Sequence, residues 1–327
     1  MIKELTIKNF KSLKELHIPC KKLNIFIGEP NSGKSNIIEA LALQSQNAFG
    51  QTLNKDIFRY KTIGDLFYDY NINEPIEVIT DEMASELRYA IREDKSPENE
   101  FYFFLNKKDD TKNPMRLSHE GKVNLSGQLG STAVHYYEYK RLASFSIGFN
   151  PHLAVPFGEN LPGLLLANPE YKKWVSDFFQ SKGLTLTLKP TENDMAVSKF
   201  VGGEIYSYPY FTISETLQRV VFYTIAIKSN TNSVILLDEP ESNTFPFYTK
   251  FLAERIALDE TNRFFIATHN PYLLLSLIEK SSMDDVSVSI VQMKDYKTEV
   301  AVLNEDQIEK VLDFNSDVFF NFNQILD

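Results

Sequence analysis

The sequence is short of cysteine, of long apolar runs and of positive charge, and each shortage closes off a class of protein. Cys20 is the one cysteine, so an internal disulfide is excluded, and no Cys/His pairs stand at zinc-binding spacing. No run of about eighteen apolar residues occurs, and the N-terminus enters an alternating pattern without an apolar leader. That predicts a cytoplasmic protein without a membrane partner. Lys and Arg number 34 against 44 Asp and Glu, a formal net charge of −10. Nonspecific attachment to nucleic acid is mostly phosphate neutralisation by Lys and Arg, so the balance does not indicate nucleic acid. A local basic face stays open, because Lys3, Lys8, Lys11, Lys14, Lys21, Lys22 and Lys34 face only Glu4, Glu15 and Glu29 in the first 34 residues. The same lysines also read as a solvated edge-strand surface. No internal repeat, low-complexity segment or long heptad run is present.

What is present is core-forming material: 327 residues, 43% hydrophobic and 13% aromatic, enough for one large domain or for a core with an inserted lobe. Residues 1–7 alternate through Ile2, Leu5 and Ile7, and 16–19 and 23–27 read as further strands. Residues 36–46 read as a helix with Ile37, Ile38, Leu41 and Leu43 on its apolar side. From 47 to 210 Phe and Tyr are frequent and turn signals intervene at Asn113 and Ser126, which predicts an inserted lobe. Within it, 76–79, 101–105 and 134–139 read as strands, 82–91 and 171–180 as helices. In the last third, helices at 214–227 and 248–257 alternate with the buried strands 233–237 and 263–267. That rhythm predicts a parallel sheet. Strands at 286–292 and 299–303 and a helix at 306–312 close the chain.

The strongest chemical signal is Gly28-Glu29-Pro30-Asn31-Ser32-Gly33-Lys34-Ser35, followed by Asn36, which fits G-x-x-x-x-G-K-[ST] in full between a strand and a helix. Glycines let backbone N–H groups close around phosphate oxygens, and the helix N-terminus adds positive potential. Lys34 is expected to reach the β- and γ-phosphates of ATP, and Ser35 to ligate Mg²⁺. Downstream, an apolar strand ends in Asp238-Glu239-Pro240. An acid there points into the crevice where open α/β sheets bind ligands, so Asp238 is expected to hold the metal and Glu239 to orient or deprotonate the attacking water. His269 follows another buried strand and is expected beside the γ-phosphate. His17, His119, His135 and His152 have no such context.

These blocks, with Asp238-Glu239-Pro240-Glu241, Thr268-His269-Asn270-Pro271 and the opening Ile7-Lys8-Asn9-Phe10-Lys11-Ser12, resemble the ABC-type ATPases of the SMC, RecF and OLD (overcoming lysogenization defect) group. The resemblance covers most of the chain through scattered blocks and only weakly reaches 47–210. It implies an α/β P-loop NTPase fold: an ABC-type ATPase head with a mixed central sheet, an N-terminal β-subdomain and an inserted α+β lobe. The core would be 1–46 and 211–327, the lobe 47–210. It also implies that Lys11 and Ser12 contact nucleotide phosphate, though basic surface residues would look the same. The family signature, a serine followed by glycines at a helix start, reaches the γ-phosphate of the opposing subunit. Here the candidate is Ser214, with Glu215 and Thr216 where glycines would stand, so Ser214 reads either as that contact or as an N-cap.

The SMC type carries coiled-coil arms that this chain lacks, and the OLD type continues into a metal-dependent Toprim nuclease. The 58 residues after His269, with acids such as Asp284 and Asp285, show no such pattern, so no nuclease activity is expected. The expectation is a slow ATPase switch, homodimeric on ATP binding and controlling an effector protein encoded nearby, in bacterial anti-phage defence. The alternative is a RecF-like ATP-dependent DNA-binding protein in repair. A transporter motor head fits least, because it carries the glycine signature intact.

Overall fold

The computed structural model describes residues 2–45, 48–90, 100–107, 114–125, 132–148 and 150–327. Three strands open the chain: β1 (Glu4–Phe10), β2 (Leu13–Pro19) and β3 (Leu23–Ile27), the last running through a glycine-rich loop into α1 (Lys34–Ala42). Five strands follow, β4 (Ile76–Thr80), β5 (Met83–Ala90), β6 (Glu100–Lys107), β7 (Met115–Leu117) and β8 (Val123–Leu125), and then β9 (Val134–Tyr137). Helices α2 (Leu161–Ala167) and α3 (Pro169–Gln180) lead to β10 (Thr185–Lys189), β11 (Asp194–Val201) and β12 (Glu204–Pro209). The remainder alternates: α4 (Glu215–Lys228), β13 (Val234–Asp238), α5 (Pro246–Ala257), β14 (Arg263–Ala267), α6 (Pro271–Lys280), β15 (Val286–Lys294), β16 (Lys297–Val302), α7 (Glu305–Phe314) and α8 (Phe322–Leu326).

The central sheet runs β16-β15-β3-β14-β13-β9 and is parallel except for the edge strand β16. Its strands are apolar on both faces, as a covered parallel sheet requires. Ile25, Ile27, Ile235, Leu237, Phe264 and Ile266 face the cluster formed with α4, α5 and α6. Phe26, Leu236, Phe265 and Ala267 face α1 and a seven-stranded antiparallel sheet, β2-β1-β4-β5-β6-β7-β8. The period of two therefore sends neighbouring residues into two different cores.

Residues 47–210 divide three ways, with Asn47 itself outside the described residues. Strands β4 to β8 extend the sheet begun by β1 and β2, β9 forms the edge of the central sheet beside β13, and β10 to β12 make a separate three-stranded sheet that the sequence did not signal. The expected helix at 82–91 is a strand, β5, in which Met83, Ser85 and Leu87 are buried and the residues between are not. Pairing with β4 and β6 on either side outweighs the helix propensity of its Glu, Ala and Leu. Ile91, Asn113 and Ser126 lie outside the described residues. Helix α1 stops at Ala42, where turn bonds from Leu43 to Ala40 and Gln44 to Leu41 tighten the chain, and Gln46 is outside the described residues. Cys20 is half-buried with its thiol toward the Ile18 carbonyl at 3.4 Å, and burial pushes the thiol up to about 12, which disfavours the reactive thiolate. No described helix is long and apolar enough to cross a membrane.

Candidate functional site

The loop at 28–35 lies where β3 meets α1, and both of its glycines are held by the neighbouring hairpin β15–β16. A Cβ on Gly28 would stand 2.1 Å from the Val291 carbonyl oxygen. One on Gly33, whose φ is 104°, would stand 2.1 Å from Thr298 Oγ1. Asn31 also takes a left-handed conformation, with φ 62°. Lys34 is buried with Nζ folded back on the loop, donating to the carbonyls of Gly28 (2.9 Å) and Glu29 (2.8 Å). Burial lowers its pKa, opposed by the carboxylates of Glu239 and Asp238.

Strands β13 and β14 run parallel, so their C-terminal ends deliver Asp238, Glu239 and His269 to one edge of the sheet. Ser35 Oγ donates to Asp238 Oδ1 at 3.2 Å, closing a gap of 203 residues in sequence. Asp238 is pushed up to about 6 by burial and by the Glu239 charge, against the Ser35 hydrogen bond. Glu239 leaves the strand with φ 47°, its N–H bonded to the Ala267 carbonyl at 2.9 Å. Its Oε1 lies 2.9 Å from His269 Nδ1, and its Oε2 accepts from Ser242 Oγ at 3.4 Å. Since a carboxylate only accepts, Nδ1 carries the proton and a neutral His269 keeps its lone pair on Nε2. Beneath them the Thr268 hydroxyl donates to buried Glu241 and accepts the Asn270 N–H at 3.0 Å. Burial pushes Glu241 up to about 7.

Lys11 and Ser12, at the β1–β2 turn, line the same cleft of about 590 Å³ as residues 30–36, but both are engaged with protein groups. Lys11 pairs with Glu39, a buried carboxylate on α1 that also accepts Arg59 Nε at 2.7 Å. Burial lowers the Lys11 pKa and Glu39 opposes the shift. Ser12 Oγ accepts from Asn36 Nδ2 at 2.8 Å and lies 2.7 Å from Thr298 Oγ1. A second cleft of about 340 Å³ is lined by Ser35, Asp238 and Glu239 together with Glu138, Tyr139, Arg219 and Tyr223, and Arg59 borders both clefts. Ser214 precedes α4 without a side-chain cap and lines neither cleft.

Arg59, Glu39, Thr298 and Glu138 carry no motif, whereas Glu241 closes the Asp238-Glu239-Pro240-Glu241 block. Of the first four, Glu138 alone was recoverable, because it follows the parallel strand β9 as Asp238 ends β13, and the same strand-end logic applies to both. Together the loop, the serine hydroxyl, the acids and the histidine can hold a polyphosphate, a hard divalent cation and a water molecule.

A family model described as "AAA ATPase domain" matches residues 1–145, and one described as "AAA domain, putative AbiEii toxin, Type IV TA system" matches 163–276. The DNA replication and repair protein RecF of Clostridioides difficile (strain 630) is 32% identical over 84 residues, 24% of this chain and 23% of that protein. The matched stretch is thus about a quarter of the relative's length. The SMC head crystallised with the C-winged helix domain of ScpA superposes with a TM-score of 0.52 at 17% identity, covering 94% of this chain and 99% of that one. The SMC head domain from Thermotoga maritima gives 0.43 at 14% identity over 93% and 99%.

Proposed function

We propose that this chain is a P-loop ATPase of the SMC and RecF type and works as a switch: two copies close head to head around ATP, and slow hydrolysis reopens them. The observation that carries this is the meeting of Ser35 with Asp238 at 3.2 Å and of His269 with Glu239 at 2.9 Å on one edge of the sheet. In this reading Lys34 leaves the Gly28 and Glu29 carbonyls for the β- and γ-phosphates. The Ser35 hydroxyl and Asp238 carboxylate suit Mg²⁺, being hard oxygen donors, and a buried carboxylate with a raised pKa gains from a nearby cation. When bound, the ion would neutralise phosphate charge. Glu239 orients the attacking water and accepts its proton, and the His269 Nδ1–H holds that carboxylate in place. Ser214, at the exposed start of α4, is left to act across the pair, on the nucleotide of the other copy.

The switch would act on an effector protein in anti-phage defence, a reading supported by the toxin–antitoxin description of the matched family at 163–276. The RecF likeness favours a second reading, ATP-dependent DNA binding. Against it, Lys8 is paired with Glu15 and Glu77, and Lys11 with Glu39, so these lysines are neutralised locally. A salt-dependent DNA titration separates the two. The first test is the solution mass of Glu239→Gln with and without ATP and Mg²⁺. Doubling with ATP is expected; unchanged mass despite bound ATP would refute the paired switch.

A further inference from the structure

Thr298 belongs to the C-terminal hairpin, far in sequence from the phosphate loop, yet the residue is 3% exposed and its hydroxyl is lodged against that loop. Its Oγ1 donates to the Ser32 carbonyl at 3.0 Å. A hydroxyl has one proton, so Ser12 Oγ, 2.7 Å away, must donate to Thr298, and Asn36 Nδ2 in turn donates to Ser12 at 2.8 Å. All three bonds thus have one allowed direction, running from Asn36 through Ser12 and Thr298 to the loop backbone. The Thr298 N–H also donates to the Ser12 carbonyl at 2.9 Å, which ties the hairpin to the β1–β2 turn.

In a trans peptide the C=O and the following N–H point opposite ways. Pinning the Ser32 carbonyl outward therefore aims the Gly33 N–H into the loop, where phosphate-binding donors converge. Gly33 cannot fix that plane itself: it has no side chain, and its φ of 104° belongs to a residue free to take many conformations. We infer that Thr298 is a positioning residue for nucleotide phosphate, acting through the 32–33 peptide plane, so that phosphate affinity depends on the C-terminal hairpin. The inference rests on residues 28–35 being the nucleotide loop.

Calorimetric titration of the full chain with ATP and Mg²⁺ and with ADP, for the parent, Thr298→Val, Thr298→Ser and Lys34→Ala, tests it. Valine keeps the shape and loses the donor; serine keeps the donor. Thr298→Val is expected to raise the Kd of both nucleotides about tenfold, while Thr298→Ser stays within about threefold of the parent. As a second readout, ¹⁵N-glycine labelling marks the 13 glycines, and ADP should move the Gly33 amide in the parent and Thr298→Ser but not in Thr298→Val. This readout also decides the matter if Thr298→Val melts early. Parent-like affinity and a parent-like Gly33 shift in Thr298→Val, or an equal defect in Thr298→Ser, would overturn the role of the hydroxyl. A parent that binds ATP no better than Lys34→Ala would instead remove the nucleotide reading beneath it.

Discussion

At the scale of single residues, the site is a balance of burial against charge. Asp238 rises to about 6 and Glu241 to about 7 from ordinary values of 3.8 and 4.5, both chiefly by burial. A raised carboxylate makes the folded protein hold protons that the unfolded chain has released, so stability falls as pH climbs from about 4 to 6 through Asp238 and on to about 7 through Glu241. Asp238→Asn is therefore expected to raise the melting temperature of the ligand-free protein at pH 7.5, by the equivalent of about 1–3 kcal/mol, while abolishing Mg²⁺-dependent ATP binding. Thermal melts with and without ATP and Mg²⁺ check both halves. Glu39 is the buried partner of Lys11 and Arg59, so Glu39→Ala leaves Lys11 buried and unpaired. A loss of about 2–4 kcal/mol in urea unfolding is expected.

At the scale of elements, the strand ends matter more than the strands. β9 holds its place at the sheet edge partly through Asn230, which bonds His135, donates to Tyr137 Oη at 2.8 Å and to the Ala226 carbonyl at 2.7 Å, and is itself buried. Asn230→Ala orphans buried partners on β9 and α4, and a destabilisation of about 2–4 kcal/mol is expected from chemical denaturation. Because β9 also carries Glu138 to the second cleft, ATP turnover should fall as well. His135 adds a pH signature of opposite sign to that of Asp238: burial lowers it from 6.5 to about 4. The unfolded chain then binds the extra proton, so this contribution is lost as pH falls from about 6.5 to 4. His135→Gln should flatten stability in that window, measured as melting temperature against pH. Strand β5, Met83–Ala90, shows why elements resist reading one at a time. Its residues favour a helix in isolation, and only neighbours on both sides make it a strand.

At the scale of the molecule, large apolar residues that follow Glu239 and His269 in the chain stand in water. Phe245 and Phe247, just past the Glu239 loop, are 67% and 64% exposed, and Tyr272, past His269, is 51% exposed. If pairing covers them, Phe247→Asp in the Glu239→Gln background should bind ATP normally and show no gain of mass, by light scattering, where Glu239→Gln alone doubles. The sequence by itself determined the parts that are contiguous: the glycine-containing loop between a strand and a helix, the apolar strand ending in two acids, and the histidine after the next buried strand. Each is local because its backbone setting and its chemistry lie within a few residues. Only the tertiary structure decided what surrounds them. Arg59 and Glu39 beside Lys11 and Thr298 against Ser32 are single residues of common types. Their roles come from sheet order and burial, which bring together positions up to 286 apart in sequence, as with Ser12 and Thr298, and no local pattern records such distances.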